Sequence, residues 1–275
     1  MGGLIVIKGA HFTDPYIIGK VDIPADDPIV PGVPDIPDEP VVEDYPVKDG
    51  LKGLYDLGGY DALGNEHDPT TNHAPTPHIN TAATALNKPE NITISEDYCT
   101  FTGAENNARM LTYLRMPLSN AITAVVLFSV PDGVRTLVSN KSGGSGITAI
   151  GTCLQNDKVI FATNNAAAER TFAPINSTNF AILAMTVSPN GVRVARYTNG
   201  VLDELVNFKG TVDAWSTGST GNAIVVGGSV RTNVNQAAHI SLAAIHEGVL
   251  DNDQLESICK FVYNYGKNTK GLTIE

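Results

Sequence analysis

Cysteine is scarce in this sequence, with three residues among 275. Cys99, Cys153 and Cys259 lie far apart and form no C-x-x-C pair. An odd number of widely spaced cysteines argues against a disulfide framework and against a zinc site. We therefore expect three buried thiols in a chain that folds in a reducing cytoplasm.

Basic residues and long apolar runs are also few. The chain has 18 Lys and Arg against 29 Asp and Glu, which gives a formal net charge of −11. No stretch forms a basic patch, so we expect no nucleic-acid partner. No run approaches the ~20 apolar residues of a membrane helix, so no membrane insertion is expected. The run Leu4–Ile7 is too short for a signal peptide, which predicts synthesis in the cytoplasm.

Proline and acidic residues are concentrated in residues 22–47. This segment holds eight of the acidic residues, seven of the 16 prolines and no Lys or Arg. Proline fixes φ at about −65° and biases the preceding residue toward extended conformations. The composition predicts a stiff, acidic, polyproline-like linker that rises ~3.1 Å per residue and holds no packed core.

Residues 1–21 precede this linker. Their apolar side chains include Leu4, Ile5, Val6, Ile7 and Phe12. The run predicts a short strand, but a segment of about twenty residues cannot bury a core alone. Two interpretations stay open: the segment attaches to partner proteins, or it packs back on its own domain.

Residues 48–275 have the pattern of a β-rich domain. Eight alternating or β-branched runs are separated by turn signals, including Asn-Gly pairs at 190–191 and 199–200, which indicate hairpins. The runs are Asn91–Ser95, Ala121–Val130, Thr136–Ser139, Val159–Thr163, Phe180–Val187, Val192–Tyr197, Ala223–Val226 and Ile240–His246. Many short strands at this spacing predict an antiparallel β-sandwich or jelly roll.

One helix is predicted near residue 255. Asp251 is a favourable N-cap, and Gln254 completes a capping box. The apolar side chains that recur on one face are Leu255, Ile258, Val262 and Tyr265. We expect Gly266 to end this helix as a C-terminal cap.

The order of these segments resembles the LamG-like, concanavalin A-like jelly-roll family. Residues 50–59 (GLKGLYDLGG) are similar to its opening strand, and residues 61–65 (DALGN) to a stretch that often follows. Further similarities lie at residues 101–103, 120–126, 185–200, 226–228 and 240–255. The resemblance implies an all-β antiparallel sandwich with one short C-terminal helix, preceded by an extended N-terminal arm. No acidic pair matches the calcium-binding pattern of the laminin-type members.

The N-terminal residues 5–12 (IVIKGAHF), running on to Gly19–Val21, resemble the start of some tailed-phage and prophage structural proteins. The resemblance implies a virion-attachment segment at 1–21, a linker at 22–47 and a LamG-like domain at 48–275. It also implies contacts with other virion proteins through residues 1–47, and a homo-oligomer or many copies on the particle.

The sequence shows no catalytic motif. The nucleophile elbow G-x-S-x-G is absent, and Glu66, Asp68 and Glu105 are isolated in predicted loops. We therefore predict no catalytic residue, no cofactor and no enzymatic activity.

Three histidines, His67, His73 and His78, fall close together in one predicted loop. Their spacing fits neither one face of a helix nor a zinc ribbon. We expect solvated loop histidines and no bound metal.

A sugar-binding face needs aromatic side chains for stacking together with polar groups. Trp215 is the only tryptophan, and Asp213 lies two residues before it. These two residues are the candidate ligand-binding pair, with a buried core tryptophan as the alternative.

The sequence thus favours a non-enzymatic structural protein of a phage virion, associated with the tail or fibre. Its lectin-like domain would contact host-surface glycans. Many copies that each bind weakly would together give strong attachment through avidity. Two alternatives remain, namely a capsid or tail decoration protein without a ligand and a glycan-degrading enzyme.

Overall fold

The structure is a computed structural model. It describes residues 45–61, 64–74, 85–87, 89–102, 108–115, 121–140, 152–163, 166–213, 223–228 and 236–275. All of these residues belong to one compact unit, Glu39–Glu275. The predicted attachment segment and most of the predicted linker lie outside the described residues.

Within these ranges, fifteen strands form two antiparallel sheets. The strands are β1 (Leu51–Asp56), β2 (Ala85–Asn87), β3 (Ile92–Ile94), β4 (Cys99–Phe101), β5 (Arg109–Arg115), β6 (Ile122–Val130), β7 (Thr136–Ser139), β8 (Cys153–Gln155), β9 (Lys158–Thr163), β10 (Ala166–Thr171), β11 (Ser177–Ser188), β12 (Gly191–Thr198), β13 (Val201–Lys209), β14 (Ala223–Val226) and β15 (Ala238–Glu247). A single 3-10 turn, Pro89–Asn91, precedes β3. Each of the eight predicted runs corresponds to one of these strands.

The first sheet has the order β13-β12-β11-β6-β15-β4-β3, with β1 also paired to β15. The second sheet has the order β10-β9-β8-β7-β14-β5-β2. The strands β4 and β1 lie end to end along one side of β15, where β4 pairs with residues 238–240 and β1 with residues 242–246. This architecture confirms the predicted all-β antiparallel sandwich.

Strand β6 is buried on both faces, because two layers of apolar packing meet on it. Ala124, Val126 and Phe128 point into the core between the sheets. Val125 and Leu127 point to the opposite side, into a second apolar cluster under the helix. A strand covered on both sides favours apolar residues on both faces, which explains the unbroken apolar run at residues 124–128.

The hairpin between β12 and β13 confirms the Asn-Gly turn prediction. Asn199 has φ of 52° and Gly200 has φ of 87°. Two central residues with positive φ give the turn a twist that matches the twist of the flanking strands.

The predicted helix is present as α1 (Asn252–Asn264). The Asp251 side chain accepts from the Gln254 N–H, and the Gln254 side chain accepts from the Asp251 N–H, which confirms the capping box. Its buried residues lie against the outer face of the first sheet. No helix in the described part of the chain is both long and apolar enough to cross a membrane.

The predicted C-terminal cap at Gly266 is wrong. The chain continues past α1 into one π-helical turn, Tyr265–Thr269, and Gly266 is buried within it. A Cβ at this position would lie 2.7 Å from Cδ2 of Leu127 and 2.8 Å from Cδ1 of Ile274. Glycine is therefore needed for the close approach of this turn to the sheet, and not for a left-handed backbone.

The prediction of three buried thiols is confirmed, while folding in a reducing cytoplasm stays a prediction. All three cysteines are free and buried. Burial raises the pKa of Cys99 and of Cys259 to about 12. Thiols that stay protonated in this way are chemically inert at neutral pH.

Candidate functional site

An open groove of about 280 Å³ lies at one edge of the sandwich. Strand β13 ends the first sheet and β10 ends the second, so neither has a further strand beside it among the described residues. The groove is lined by Arg170 and Thr171 of β10 and by residues 205–209 of β13. We call this site the edge groove.

Arg170 lies over the aromatic rings at the end of the core. Its Cζ atom is 5.0 Å from the ring centroid of Phe208 and 6.0 Å from that of Phe161. The register of β10 pairs Arg170 with the buried Val159, so its stem covers the edge of the core. A guanidinium over aromatic rings is attracted by about 0.5–1 kcal/mol at exposed sites. This attraction favours placement of the guanidinium beside the Phe208 ring.

The lining of the edge groove contains two cations and no carboxylate. Neither Arg170 nor Lys209 forms an ion pair with any described carboxylate. Two acidic side chains of the same edge strands are already paired, since Glu169 lies 3.5 Å from Lys158 and Glu204 lies 3.2 Å from Arg193. The groove is thus locally positive on a chain with a net charge of −11.

Two neutral polar groups complete the lining. The amide of Asn207 donates to Oε1 of Glu204 at 2.9 Å, and its carbonyl oxygen is an acceptor. Thr171, on the opposite wall, adds a hydroxyl that both donates and accepts. These groups can bind the hydroxyls of a sugar, while the Phe208 ring lies under the Arg170 guanidinium.

The predicted ligand-binding pair is only partly covered by the described residues. Asp213 is half-buried, and its backbone N–H donates to the carbonyl oxygen of Ala162 on β9 at 2.9 Å. It is not one of the residues that line the edge groove. Trp215 lies outside the described residues, so the pair stays a prediction.

The predicted attachment residues also lie outside the described part of the chain. They are Leu4, Ile5, Val6, Ile7 and Phe12. Their role stays a prediction as well.

No sequence motif pointed directly to Arg170 or Phe208. The two residues come from strands of different sheets, and the stacking exists only after the sandwich closes. The usable local signal was the group of apolar residues Leu205, Val206 and Phe208 in 201–209, which is unusual for a fully solvated segment.

A second polar cluster is buried on the outer face of the first sheet. Oδ2 of Asp56 accepts from the Tyr265 hydroxyl at 2.5 Å and lies 2.9 Å from Nζ of Lys270. The side chains of Lys270 and Asp56 are 2% and 1% exposed. Lys270 also donates to the carbonyl oxygen of Tyr60, and the Gly58 N–H donates to Oδ1 of Asp56. This cluster, which we call the Asp56 clamp, ties the π-helical turn to β1.

The electrostatics of the Asp56 clamp fit a structural role. Burial, followed by the neighbouring Asp56 carboxylate, raises the pKa of Tyr265 well above its usual range. The hydroxyl therefore stays protonated and remains a hydrogen-bond donor. Since each carboxylate oxygen of Asp56 already has a donor, this carboxylate is not free to act on a substrate.

Two of the three clustered histidines are only partly exposed, whereas fully solvated side chains were expected. His67 and His73 are half-buried, with ring centroids 5.3 Å apart. The loop folds back on β1, because the His73 N–H donates to the carbonyl oxygen of Leu54 at 2.8 Å. His67 also bonds through Nε2 to the carbonyl oxygen of Asp56 at 2.9 Å. His78 lies outside the described residues, among which no cluster suited to a metal ion is found.

The last part of the predicted linker packs on the domain. The Tyr45 hydroxyl lies 2.9 Å from Nε2 of His246, and both residues are buried. Nδ1 of His246 faces the carbonyl oxygen of Asp49 at 3.4 Å, so we place the ring proton there and let Nε2 accept from Tyr45. Burial lowers the pKa of His246 to about 4. The Tyr45 ring also packs edge-on against Phe261 of α1 at 5.2 Å.

Comparison with known proteins shows the fold of this chain. No protein-family model and no curated protein matches it. Trypanosoma rangeli sialidase in complex with sialic acid is 14% identical with a TM-score of 0.52, over 80% of this chain and 34% of that chain. The same sialidase with 2,3-difluorosialic acid, as a covalent intermediate, is 14% identical with a TM-score of 0.53, over 80% and 33%. A mutant of HCR/D is 11% identical with a TM-score of 0.50, over 79% and 52%.

These structures are lectin-like β-sandwiches over the matched part. The chain spans about a third of the length of the sialidase chains that it matches. At this level of identity the similarity shows a shared fold, and the described residues have a lectin-like β-sandwich fold.

Proposed function

We propose that this chain is a non-enzymatic structural protein of a phage virion, associated with the tail or fibre, which presents a lectin-like domain for adhesion to host-surface glycans. The edge groove carries the adhesion part of the proposal. It places a guanidinium, an ammonium group, an amide and a hydroxyl around one open space. These are the groups that bind a sugar ring and its hydroxyls.

The sialidase similarity supports a saccharide ligand. That protein was solved in complex with sialic acid, and it shares the sandwich fold with this chain. The similarity extends over only 34% of the sialidase chain, so it lends no support to transfer of the enzymatic activity.

The groove lining supports a binding role over a hydrolytic one. Most glycoside hydrolases use a pair of Asp or Glu residues that flank the scissile bond. None of the described residues that line the edge groove is acidic. The buried carboxylate of Asp56 is bonded to Tyr265 and Lys270, away from the groove.

The sequence of residues 1–47 supports the virion part of the proposal. The short apolar segment at 1–21 would dock on other virion proteins, and the acidic linker would hold the domain away from the particle. The protein would be made in the host cytoplasm and assembled in several copies, because many weak sites together give useful avidity.

Deletion of residues 1–44 tests attachment. We expect the shortened chain to fold, since it keeps Tyr45 and its bond to His246, but to be absent from purified particles. Incorporation is measured by immunoblotting particles, with the full chain as control. Normal incorporation of the shortened chain would show that the docking proposal is wrong.

A glycan array with the full chain tests adhesion. We expect binding that is lost in Arg170→Ala and kept in the control Arg196→Ala, whose side chain pairs with Glu275 outside the groove. Normal particle incorporation without any glycan binding would instead support a decoration protein. Release of sugar from a host polysaccharide would support the enzymatic alternative.

A further inference from the structure

We propose that the edge groove selects saccharides that carry a carboxylate, with Arg170 and Lys209 as the anion-binding residues. This inference rests on the proposed glycan binding and names the class of ligand. A uronic acid or a sialic acid at the exposed end of a glycan would have the required group.

The first step of the argument is charge. Most cations near the groove are paired with a carboxylate, as Lys158 is with Glu169 and Arg193 with Glu204. Arg170 and Lys209 are different, because no described carboxylate lies within ion-pair distance of either. Two unpaired cations that line one concave surface raise the local concentration of anionic ligands.

The second step is geometry. Nη1 of Arg170 donates to the carbonyl oxygen of Glu169 at 2.8 Å, and the rings of Phe161 and Phe208 lie under the guanidinium. The remaining guanidinium N–H groups have no partner among the described residues. A planar guanidinium fork matches a carboxylate with two parallel hydrogen bonds. Because Nη1 is already bonded to the Glu169 carbonyl oxygen, less conformational entropy is lost on binding.

The third step is size and surroundings. A volume of about 280 Å³ is near the lower end of the roughly 300–1,000 Å³ typical of small-molecule sites. The groove thus suits one terminal sugar better than a long chain. Thr171 and Asn207 would then meet the hydroxyls of that sugar, while Arg170 and Lys209 meet its carboxylate.

Packing alone does not explain this arrangement. The stem of Arg170 covers the edge of the core, and an apolar side chain of similar length would cover it as well. The Lys209 side chain is exposed and adds a second positive charge beside the same space. Two such charges beside one concave surface are suited to an anionic ligand.

The experiment uses the full chain and two matched probe pairs: sialyllactose against lactose, and oligogalacturonate against the corresponding galactose oligosaccharide. Affinity is measured by titration calorimetry at low and high salt. We expect each acidic probe to bind about tenfold tighter than its neutral counterpart, as one charge-assisted bidentate contact allows. The preference should shrink at high salt.

Variants assign the preference to the groove. We expect Arg170→Gln to abolish the acidic preference and Lys209→Gln to reduce it by a smaller factor. Arg196→Gln and Lys260→Gln are the controls for loss of one positive charge, and both should keep the preference. Melting temperatures confirm that each variant is folded, since all four side chains lie at the surface or partly exposed.

The outcomes separate this inference from the proposed function. Equal binding of neutral and acidic probes would overturn the acidic selectivity and leave glycan adhesion intact. An acidic preference that survives in the Arg170→Gln, Lys209→Gln double variant would overturn the groove as its site. No binding of any probe here and none on the glycan array would overturn both.

Discussion

The Asp56 clamp and the edge groove each contain a cation above an aromatic ring, but in opposite surroundings. Nζ of Lys270 lies 5.7 Å from the ring centroid of Tyr265, and Cζ of Arg170 lies 5.0 Å from that of Phe208. Lys270 is buried and bonded to Asp56, whereas Arg170 is exposed and has no described ionic partner. The same kind of contact therefore holds the fold together at one place and leaves a charge available to a ligand at the other.

Substitutions at the two sites should change the free energy of unfolding by different amounts, because one site is buried and the other is exposed. Removing one partner of a buried ion pair leaves an uncompensated charge in a medium of low polarity. Removing an exposed cation loses a contact that lies in water, and such a contact contributes little to the free energy of unfolding. Stability measurements on variants at both sites test this contrast directly.

The largest effect is expected for Lys270→Met. This variant leaves the Asp56 carboxylate buried without its cation, and we expect the free energy of unfolding to fall by about 3–5 kcal/mol. Denaturant unfolding of the full chain, followed by fluorescence or circular dichroism, measures the change. The double variant Asp56→Asn, Lys270→Met is the control and should be more stable than Lys270→Met alone. If Lys270→Met unfolds like the unaltered protein, the Asp56 clamp is not a stabilising unit.

The next effect is a dependence of folding stability on pH. It is expected for the face of the first sheet that α1 covers, and not for the edge groove, whose lining contains no histidine. Burial lowers the pKa of His246 to about 4, below the roughly 6.5 of an unfolded histidine. The neutral ring is therefore favoured in the folded state. Its contribution is fully present above pH ~6.5 and is lost as the pH falls toward 4. We expect a loss of about 3 kcal/mol over this range.

Melting temperatures between pH 7 and pH 4 measure that loss. In the variant His246→Gln the side-chain amide can still meet Tyr45 but does not titrate. We expect its pH dependence to be flatter than that of the unaltered protein. Burial also lowers the pKa of His239, so some dependence of the same sign remains in the variant. Identical curves would show that His246 is not the buried group that responds.

The smallest effect is expected for Arg170→Gln. The stacking over Phe208 is exposed, so its loss should lower the free energy of unfolding by less than about 1 kcal/mol. The same denaturant experiment serves, with Arg196→Gln as the matched surface control. A loss as large as that in Lys270→Met would mean that Arg170 is part of the core and would remove the contrast between the two sites.

The sequence predicted those elements whose own residues carry the pattern. Strand β6 has an unbroken apolar run because both of its faces are covered, and Asn199-Gly200 supplies the positive φ values of its turn. The capping box of α1 is complete within Asp251–Gln254. In each case the cause of the structure lies within a few neighbouring residues, so local reasoning was sufficient.

The two strands that form the edge groove were not predicted. Strand β13 carries Asp203 and Glu204 at exposed positions, and β10 is short and rich in alanine. An edge strand needs only part of one face to be apolar, so its sequence is close to that of a loop. Since the groove depends on the pairing of both strands, its residues could not be found either. The role of Gly266 was missed for a similar reason, because its neighbour Leu127 is distant in sequence.

The two strands that share one side of β15 have a consequence for how this chain acquires its structure. Leu51 at the start of β1 pairs with His246, close to the opposite end of the domain. A ladder between such distant residues closes a very long loop, and chains dominated by such pairings fold slowly. During synthesis β1 stays without its neighbour until nearly the whole domain has left the ribosome. Productive folding is therefore expected to follow translation, which leaves unpaired strand edges in contact with chaperones meanwhile.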